Sequence, residues 1–369
     1  MRVLIAPDKF KGTLTAREAA EAMARGWHAA RPDDSLTLLP ISDGGDGFGA
    51  VMGAALKAKP QRVKTVDAAH RPVTAKWWWQ PGQQIAVIES ANIIGLAMLP
   101  KGRFHPFQLD TFGLGAAVKA AQKRGAHRII IGIGGSATND GGFGLARALG
   151  WKFFNRAGVE IVSWTELCSL HRIQPPSERL PKRLITVAVD VQNPLLGPRG
   201  ATRIYGPQKG IRSQDIIPAE RCLRRLAQVM QQQSGFDFAR KPGAGAAGGL
   251  GFGLAAFGNA QFVSGFELFA QQAGLARMLA KTDLILTGEG ALDRSTLMGK
   301  GAGQLARLAR ARKLPAIGLA GIIRNRSSLR EMFLTARALT ELTSPENAQR
   351  RAGGWLERLT FEVAANLRA

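Results

Sequence analysis

Cysteine is scarce. The chain of 369 residues has two, Cys168 and Cys222. Neither stands in a C-x-x-C arrangement, which argues against zinc-site spacing and against a disulfide scaffold. A reducing cytoplasm is the expected setting. Tyrosine occurs once, at Tyr205, and no basic run interleaves with aromatics as in a single-strand groove. The Trp77-Trp78-Trp79 cluster reads as buried strand rather than a stacking platform. None of the five histidines (His28, His70, His105, His127 and His171) lies in a glycine loop. That argues against a triad enzyme or His-based hydride transfer. No apolar run approaches the ~20 residues of a membrane span. The chain enters an apolar strand at Val3–Ala6, so no secretory leader is expected. The Walker pattern is missing: Gly299-Lys300 is followed by Gly301 and lacks the upstream glycine. No protein-kinase signature set occurs either. Acidic residues are few, 27 against 50 basic ones, for a net charge of +23. The basic residues are scattered, as on a solvated surface, so nucleic acid is an unlikely partner despite the charge.

Glycine is abundant, with 44 residues clustered in loops. The most informative cluster follows Arg128-Ile-Ile-Ile-Gly-Ile133, a β-branched run of the kind buried on both faces of a parallel sheet. Gly134-Gly-Ser-Ala-Thr-Asn-Asp-Gly-Gly142 comes next, then a helical pattern, Phe143 to Leu149. Strand, glycine turn, helix can aim backbone N–H groups at an anion, and glycine lets a phosphate approach closely. Gly134, Gly135, Ser136 and Asn139 are the expected phosphate contacts, and Asp140 is a further cofactor-binding candidate that could equally be a turn or helix cap. The plain alternative is a tight turn without a ligand. A second stretch, Pro242-Gly-Ala-Gly-Ala-Ala-Gly-Gly249, adds Gly248 and Gly249 as candidates.

Carboxylates recur at strand ends: Asp8, Asp43, Asp190 and Glu289. In open parallel sheets the ligand crevice lies at those ends. Four acids there need a cation or a basic partner, and magnesium with a polyphosphate would satisfy both acids and glycine loops. Lys11, Lys209 and Lys300 adjoin glycines and could meet phosphate oxygens as point charges. Gly132-Ile-Gly134-Gly-Ser-Ala137 also fits the dinucleotide fingerprint, but the expected later acid is poorly placed, with Glu160 nearest. An NAD(P)-dependent hydroxy-acid dehydrogenase therefore stays as a rival, and a basic nucleic-acid-binding protein as another.

The order of elements predicts an α/β fold: a Rossmann- or flavodoxin-like parallel-sheet domain, plus an α/β domain with antiparallel strands starting near Arg62. Thr15 with Glu18 predicts a capping box for a first helix ending near Ala30. Another helix is expected from about Pro218 to Gln232, and a last one from about Gln349 to Leu367, packed on the first domain.

The motifs together resemble the bacterial type I glycerate kinase family. They are Ala6-Pro-Asp-Lys-Phe-Lys-Gly12, Asp43-Gly-Gly-Asp-Gly47, Ile131 to Gly142, Asp190-Val-Gln-Asn-Pro-Leu-Leu-Gly197, Gly206-Pro-Gln-Lys-Gly210, Pro242 to Gly249 and Thr287-Gly-Glu-Gly290. The resemblance runs from about residue 3 to 321. It implies ATP- and magnesium-dependent phosphorylation of D-glycerate, with 2-phosphoglycerate as the favoured product. It also implies that the second domain is inserted into the first, with the active-site cleft between them. The expected bounds are 1–61 plus 280–369 for the first domain, with 112–150 as an optional part of it, and 62–279 for the insert. Ala291 and Arg294-Ser295 depart from the family pattern. On this reading Asp190 is the base, with Asp43 as rival. Asp43, Asp46 or Glu289 hold magnesium. Lys11 and Lys209 stabilise the transferring phosphoryl group or the substrate carboxylate, and Lys300 contacts the nucleotide. A monomer or homodimer is expected.

Overall fold

The computed structural model describes residues 1–42, 44–293, 296, 301–324 and 326–367. The chain forms two compact units, Met1–Asp43 with Phe266–Ala369, and Gly44–Gly265. The second is thus inserted into the first.

The first unit is built on a five-stranded sheet of β1 (Arg2–Ile5), β2 (Ser35–Leu38), β11 (Leu284–Leu292), β12 (Ala316–Ile323) and β13 (Thr335–Ala338). The spatial order is β13-β12-β11-β1-β2, and every pairing is parallel. Counted along the unit's own chain, this is the flavodoxin-like order, whose switch point falls between β1 and β11. Val3, Leu4 and Ile5 are buried, as a central parallel strand requires, whereas the edge strand β2 is largely exposed. The helix Ala16–Ala30 begins with the expected capping box: Glu18 N–H donates to Thr15 Oγ1, and Thr15 N–H donates to Glu18 Oε2 at 2.8 Å. The last helix, Ala352–Ala365, packs on it. Gly26 permits that approach, since a Cβ there would overlap the Glu357 carbonyl oxygen.

The second unit carries β3 (Lys59–Val66), β4 (Pro72–Gln80), β5 (Ile85–Glu89), β6 (Arg128–Gly132), β9 (Ile185–Ala188) and β10 (Gln261–Val263) in one sheet. The order is β10-β9-β6-β5-β4-β3. β10, β9, β6 and β5 pair in parallel, while β4 and β3 are antiparallel. A separate antiparallel pair joins β7 (Lys152–Asn155) to β8 (Leu170–Gln174). Ile129, Ile130 and Ile131 are fully buried, consistent with a strand covered on both faces.

The observed junctions, after Asp43 and after Gly265, differ from those expected at 61/62 and 279/280. The helix Phe48–Ala55 packs on β4 and β5 because Gly49 and Gly53 lie against the Trp78 indole. Segment 112–150 belongs to the second unit, since β6 pairs with β5 and β9. The long helix also starts earlier than Pro218. It spans Ser213–Ser234, and Asp215 Oδ2 accepts from the Arg212 N–H at 3.1 Å before its first turn. Proline is tolerated near a helix start. Here it stands in the second turn.

Candidate functional site

The parallel strands of the second unit deliver their carboxyl ends to one edge of the sheet. β6 runs straight into the bend Gly134–Gly142. Gly135, Gly141 and Gly142 adopt φ of 77°, 64° and 74°, a region that favours glycine. The bend is anchored by its own amides: Gly134 N–H donates to the Gly44 carbonyl at 3.1 Å, and Ala137 N–H to the Ile94 carbonyl at 2.8 Å. Those two amides therefore serve the fold.

Asp140 is fully buried and accepts four hydrogen bonds. They come from Thr111 N–H and Oγ1–H (2.9 and 2.7 Å), Gly142 N–H (3.1 Å) and Gly144 N–H (2.9 Å). Burial, with Asp110 nearby, pushes its pKa up to about 6. Its oxygens organise the bend from within rather than facing outward. Asn139 is likewise buried; its Nδ2 donates to Thr202 Oγ1 at 3.0 Å. Earlier in the bend, Gly134 is half-buried, Gly135 exposed and Ser136 buried.

Lys209 comes to the same bend. It is 7 % exposed, and its Nζ donates to Ser136 Oγ at 2.9 Å and to the Thr138 carbonyl at 2.7 Å. Ser136 in turn donates to the Ala247 carbonyl at 3.1 Å. Burial drags the Lys209 pKa down to about 7, and the field of Asp140 opposes that shift. Near neutral pH this amine can be charged or uncharged, and a bound anion would favour the charged form. Gly248 and Gly249 also reach the bend, but as packing. A Cβ on Gly248 would overlap the Thr138 carbonyl oxygen, and one on Gly249 would lie 2.8 Å from Gly141 Cα.

Asp190 follows β9 and is half-buried. Ser264 Oγ–H and Gly265 N–H, both just after β10, donate to its Oδ1 at 2.7 and 3.0 Å. Two adjacent strand ends thus fix this carboxylate. Asp46 is exposed and lies on the bend: a Cβ on Gly135 would overlap its Oδ1. Sequence reading passed over Glu89. It closes β5, is buried, and accepts from Gly47 N–H at 2.7 Å and Gly49 N–H at 2.9 Å. A signal was available, since a carboxylate ending a strand is the pattern that singled out Asp190 and Glu289. Thr111 was also missed, and nothing in its local sequence marks it.

In the first unit, Asp8 and Glu289 stand at the switch point. Asp8 N–H donates to the Gly288 carbonyl at 2.8 Å, which sets the two strand ends side by side. Both acids are buried, and Thr296 Oγ1–H donates to Glu289 Oε1 at 2.7 Å. Lys11 is exposed, and its backbone lies beside Gly290, so close that a Cβ there would be 3.0 Å from Lys11 N. Asp43, Lys300 and Arg294-Ser295 lie outside the described residues. Among the described residues no group of three or more His, Cys, Asp or Glu is gathered as a metal cage. No described helix is long and apolar enough to cross a membrane.

A buried amine under a glycine bend, beside acids at strand ends, suits an α/β phosphotransferase better than hydride transfer. Comparison with known proteins agrees. The model of the glycerate kinase family matches residues 3–368, and the chain belongs to that family and is a kinase. It is 37 % identical over 324 residues to glycerate 2-kinase of Escherichia coli, covering 87 % of this chain and 85 % of the relative. It is 34 % identical over 378 residues to glycerate kinase of Bacillus subtilis, covering 100 % and 98 %. A crystal structure described as glycerate kinase 2 from Salmonella typhimurium LT2 superimposes with a TM-score of 0.84 at 33 % identity, covering 99 % of this chain and 97 % of that one. These likenesses do not favour the dehydrogenase or nucleic-acid readings.

Proposed function

We propose that this kinase transfers the γ-phosphoryl group of ATP to a hydroxyl of D-glycerate, with magnesium, and that the product is 2-phosphoglycerate. Family membership supports the acceptor, and the likeness to a glycerate 2-kinase supports the position. The observation that carries the reading is Lys209, buried beneath the bend and bonded to both Ser136 and the Thr138 carbonyl.

Phosphoryl transfer asks mainly for positioning and for neutralisation of developing charge. Gly135 and Ser136 would receive phosphate oxygens, Gly134 would shape the approach with its own amide held by Gly44, and Asn139 and Asp140 would keep the bend in shape. Lys209 would place positive charge under it. Asp190, held by Ser264 and Gly265, would accept the proton of the attacking hydroxyl. The residues fit magnesium: Asp46 is a hard oxygen donor set on the very glycine bend that phosphates would occupy. Magnesium typically takes one or two protein carboxylates, with water and phosphates completing the shell. When bound it would neutralise phosphate charge. Asp46 would hold it, with Asp43 or Glu289 as the alternative carboxylate, and Lys11 would meet the transferring group or the substrate carboxylate.

An ADP-release assay over a panel of small hydroxy acids, with and without magnesium, tests this reading when the products are resolved by phosphorus NMR. D-glycerate should be the best acceptor and 2-phosphoglycerate the product. Turnover with NAD(P) instead, or none with ATP, would sink it. Asp190→Asn should lower kcat by about 10²–10⁴-fold while nucleotide binding stays nearly unchanged. Near-normal turnover would remove Asp190 from the role of base.

A further inference from the structure

We infer that Glu89 is the positioning residue of the phosphate site: it holds Asp46 in register over the glycine bend. This deepens the proposed function and rests on it. Glu89 ends β5, paired with Gly132 at the end of β6. Its two oxygens take the N–H groups of Gly47 and Gly49 at 2.7 and 2.9 Å, the residue that precedes the helix Phe48–Ala55 and the second residue within it. A helix start is a ready anion site. Here the anion is the protein's own carboxylate, so the incoming phosphates are left to the bend.

The loop just before that helix start meets the bend at three successive residues. Gly44 O accepts from Gly134 N–H at 3.1 Å. Gly45 Cα would lie 2.6 Å from a Cβ on Gly134, so the two backbones are in contact. Asp46 Oδ1 lies where a Cβ on Gly135 would be. Glu89 therefore ties the end of β5, the acidic loop and the bend that continues β6 into one rigid piece. A carboxylate can accept from both amides, whereas glutamine in that place offers one oxygen and turns an N–H₂ toward the other amide. Glu89→Gln should loosen residues 44–49 and let Asp46 drift from Gly135.

A purely structural cap would lower thermal stability and leave the remaining folded enzyme normal. Positioning predicts more. By titration calorimetry at a temperature where both proteins are folded, Glu89→Gln should weaken binding of magnesium-ATP about tenfold, a loss that its lowered melting temperature does not account for. In an Asp46→Asn background the same change should add little, because a residue acting through Asp46 has nothing left to act on. Hydrogen-exchange mass spectrometry should show faster exchange over 44–49 and 132–138. Additive losses in the double variant, or unchanged magnesium-ATP binding in Glu89→Gln, overturn the inference. Glu89→Asp, one methylene shorter and still charged, gives a second variant should the glutamine form fold poorly, and it should show the same exchange pattern in weaker form. If the parent binds no nucleotide, the functional reading fails separately. Exchange then decides for Glu89, and unchanged rates in both peptides reject it.

Discussion

Two glycine-rich stretches of the second unit look alike in sequence and do opposite work. Gly134–Gly142 follows a strand and presents Gly135 to Asp46, with Lys209 bonded to Ser136 beneath it. Gly243–Gly253 is turned inward. Ala247, Gly248 and Gly249 take successive left-handed φ of 56°, 70° and 86° and press their backbone onto the first stretch. A Cβ on Gly253 would lie 2.6 Å from Gly142 Cα, and Gly141 N–H donates to the Gly248 carbonyl at 3.1 Å. In the first stretch the missing side chains at Gly134 and Gly135 admit the acidic loop and its Asp46 carboxylate. In the second the missing side chains let its backbone press on the first stretch. A run of glycines records that something comes close, not what comes close.

The comparison breaks most visibly at Gly248. Gly248→Ala puts a methyl into the Thr138 carbonyl oxygen and a side chain into a left-handed backbone. Both partners are main chain, so neither can swing aside. The cost should exceed about 4 kcal/mol. Urea unfolding and soluble yield measure it. A variant with near-parental stability would mean that the second stretch is not packing, and would reopen it as a ligand contact.

Lys209→Met sharpens the other side of the comparison. Methionine keeps length and removes charge. If the bend works on phosphate, kcat/KM should fall about 10²–10³-fold, the scale of a lost charge-stabilising donor. Stability should respond to pH in a defined direction. The folded pKa of Lys209, about 7, lies below the ordinary lysine value of 10.5, so the unfolded chain holds more protons between those limits. Stability attributable to this group therefore rises with pH across that window, and the burial cost is full below about pH 7. The parent should gain melting temperature relative to Lys209→Met between pH 7 and pH 9. A constant difference would show that the amine is not desolvated as the fold implies.

Much of the architecture was legible because it follows from local pattern. The Ile129–Ile131 run, the Thr15–Glu18 box and the alternation of strand and helix fixed the sheet type and the chain order of elements. The site was legible in part. The bend was readable from its glycines, and the structure brings Lys209 and Ser136 together as candidates of one site. What stayed hidden depends on contacts distant in sequence. The unit junctions turn on Trp78 meeting Gly49 and Gly53, and Asp140 is engaged by Thr111, 29 residues away. Gly248 reads as a cofactor glycine until its neighbour is known to be the Thr138 carbonyl. Glu89 was hidden for another reason: its partners are backbone amides, which every residue has.

The smallest effect isolates what left-handed geometry costs by itself. Gly235 ends the helix Ser213–Ser234 at φ 73°, close to the 70° of Gly248. Its N–H caps the helix on the Gln231 carbonyl at 2.8 Å, and an added Cβ would meet nothing within 4 Å. Gly235→Ala thus introduces the backbone penalty without the collision, and about 1 kcal/mol is expected from handedness alone. The kinetic constants should not move. Measured beside Gly248→Ala by urea unfolding, it converts the comparison into a difference: the excess at 248 belongs to the backbone contact with Thr138. Equal costs at the two positions would assign the whole effect to φ, and the second stretch would then need glycine for its own shape rather than for its neighbour's.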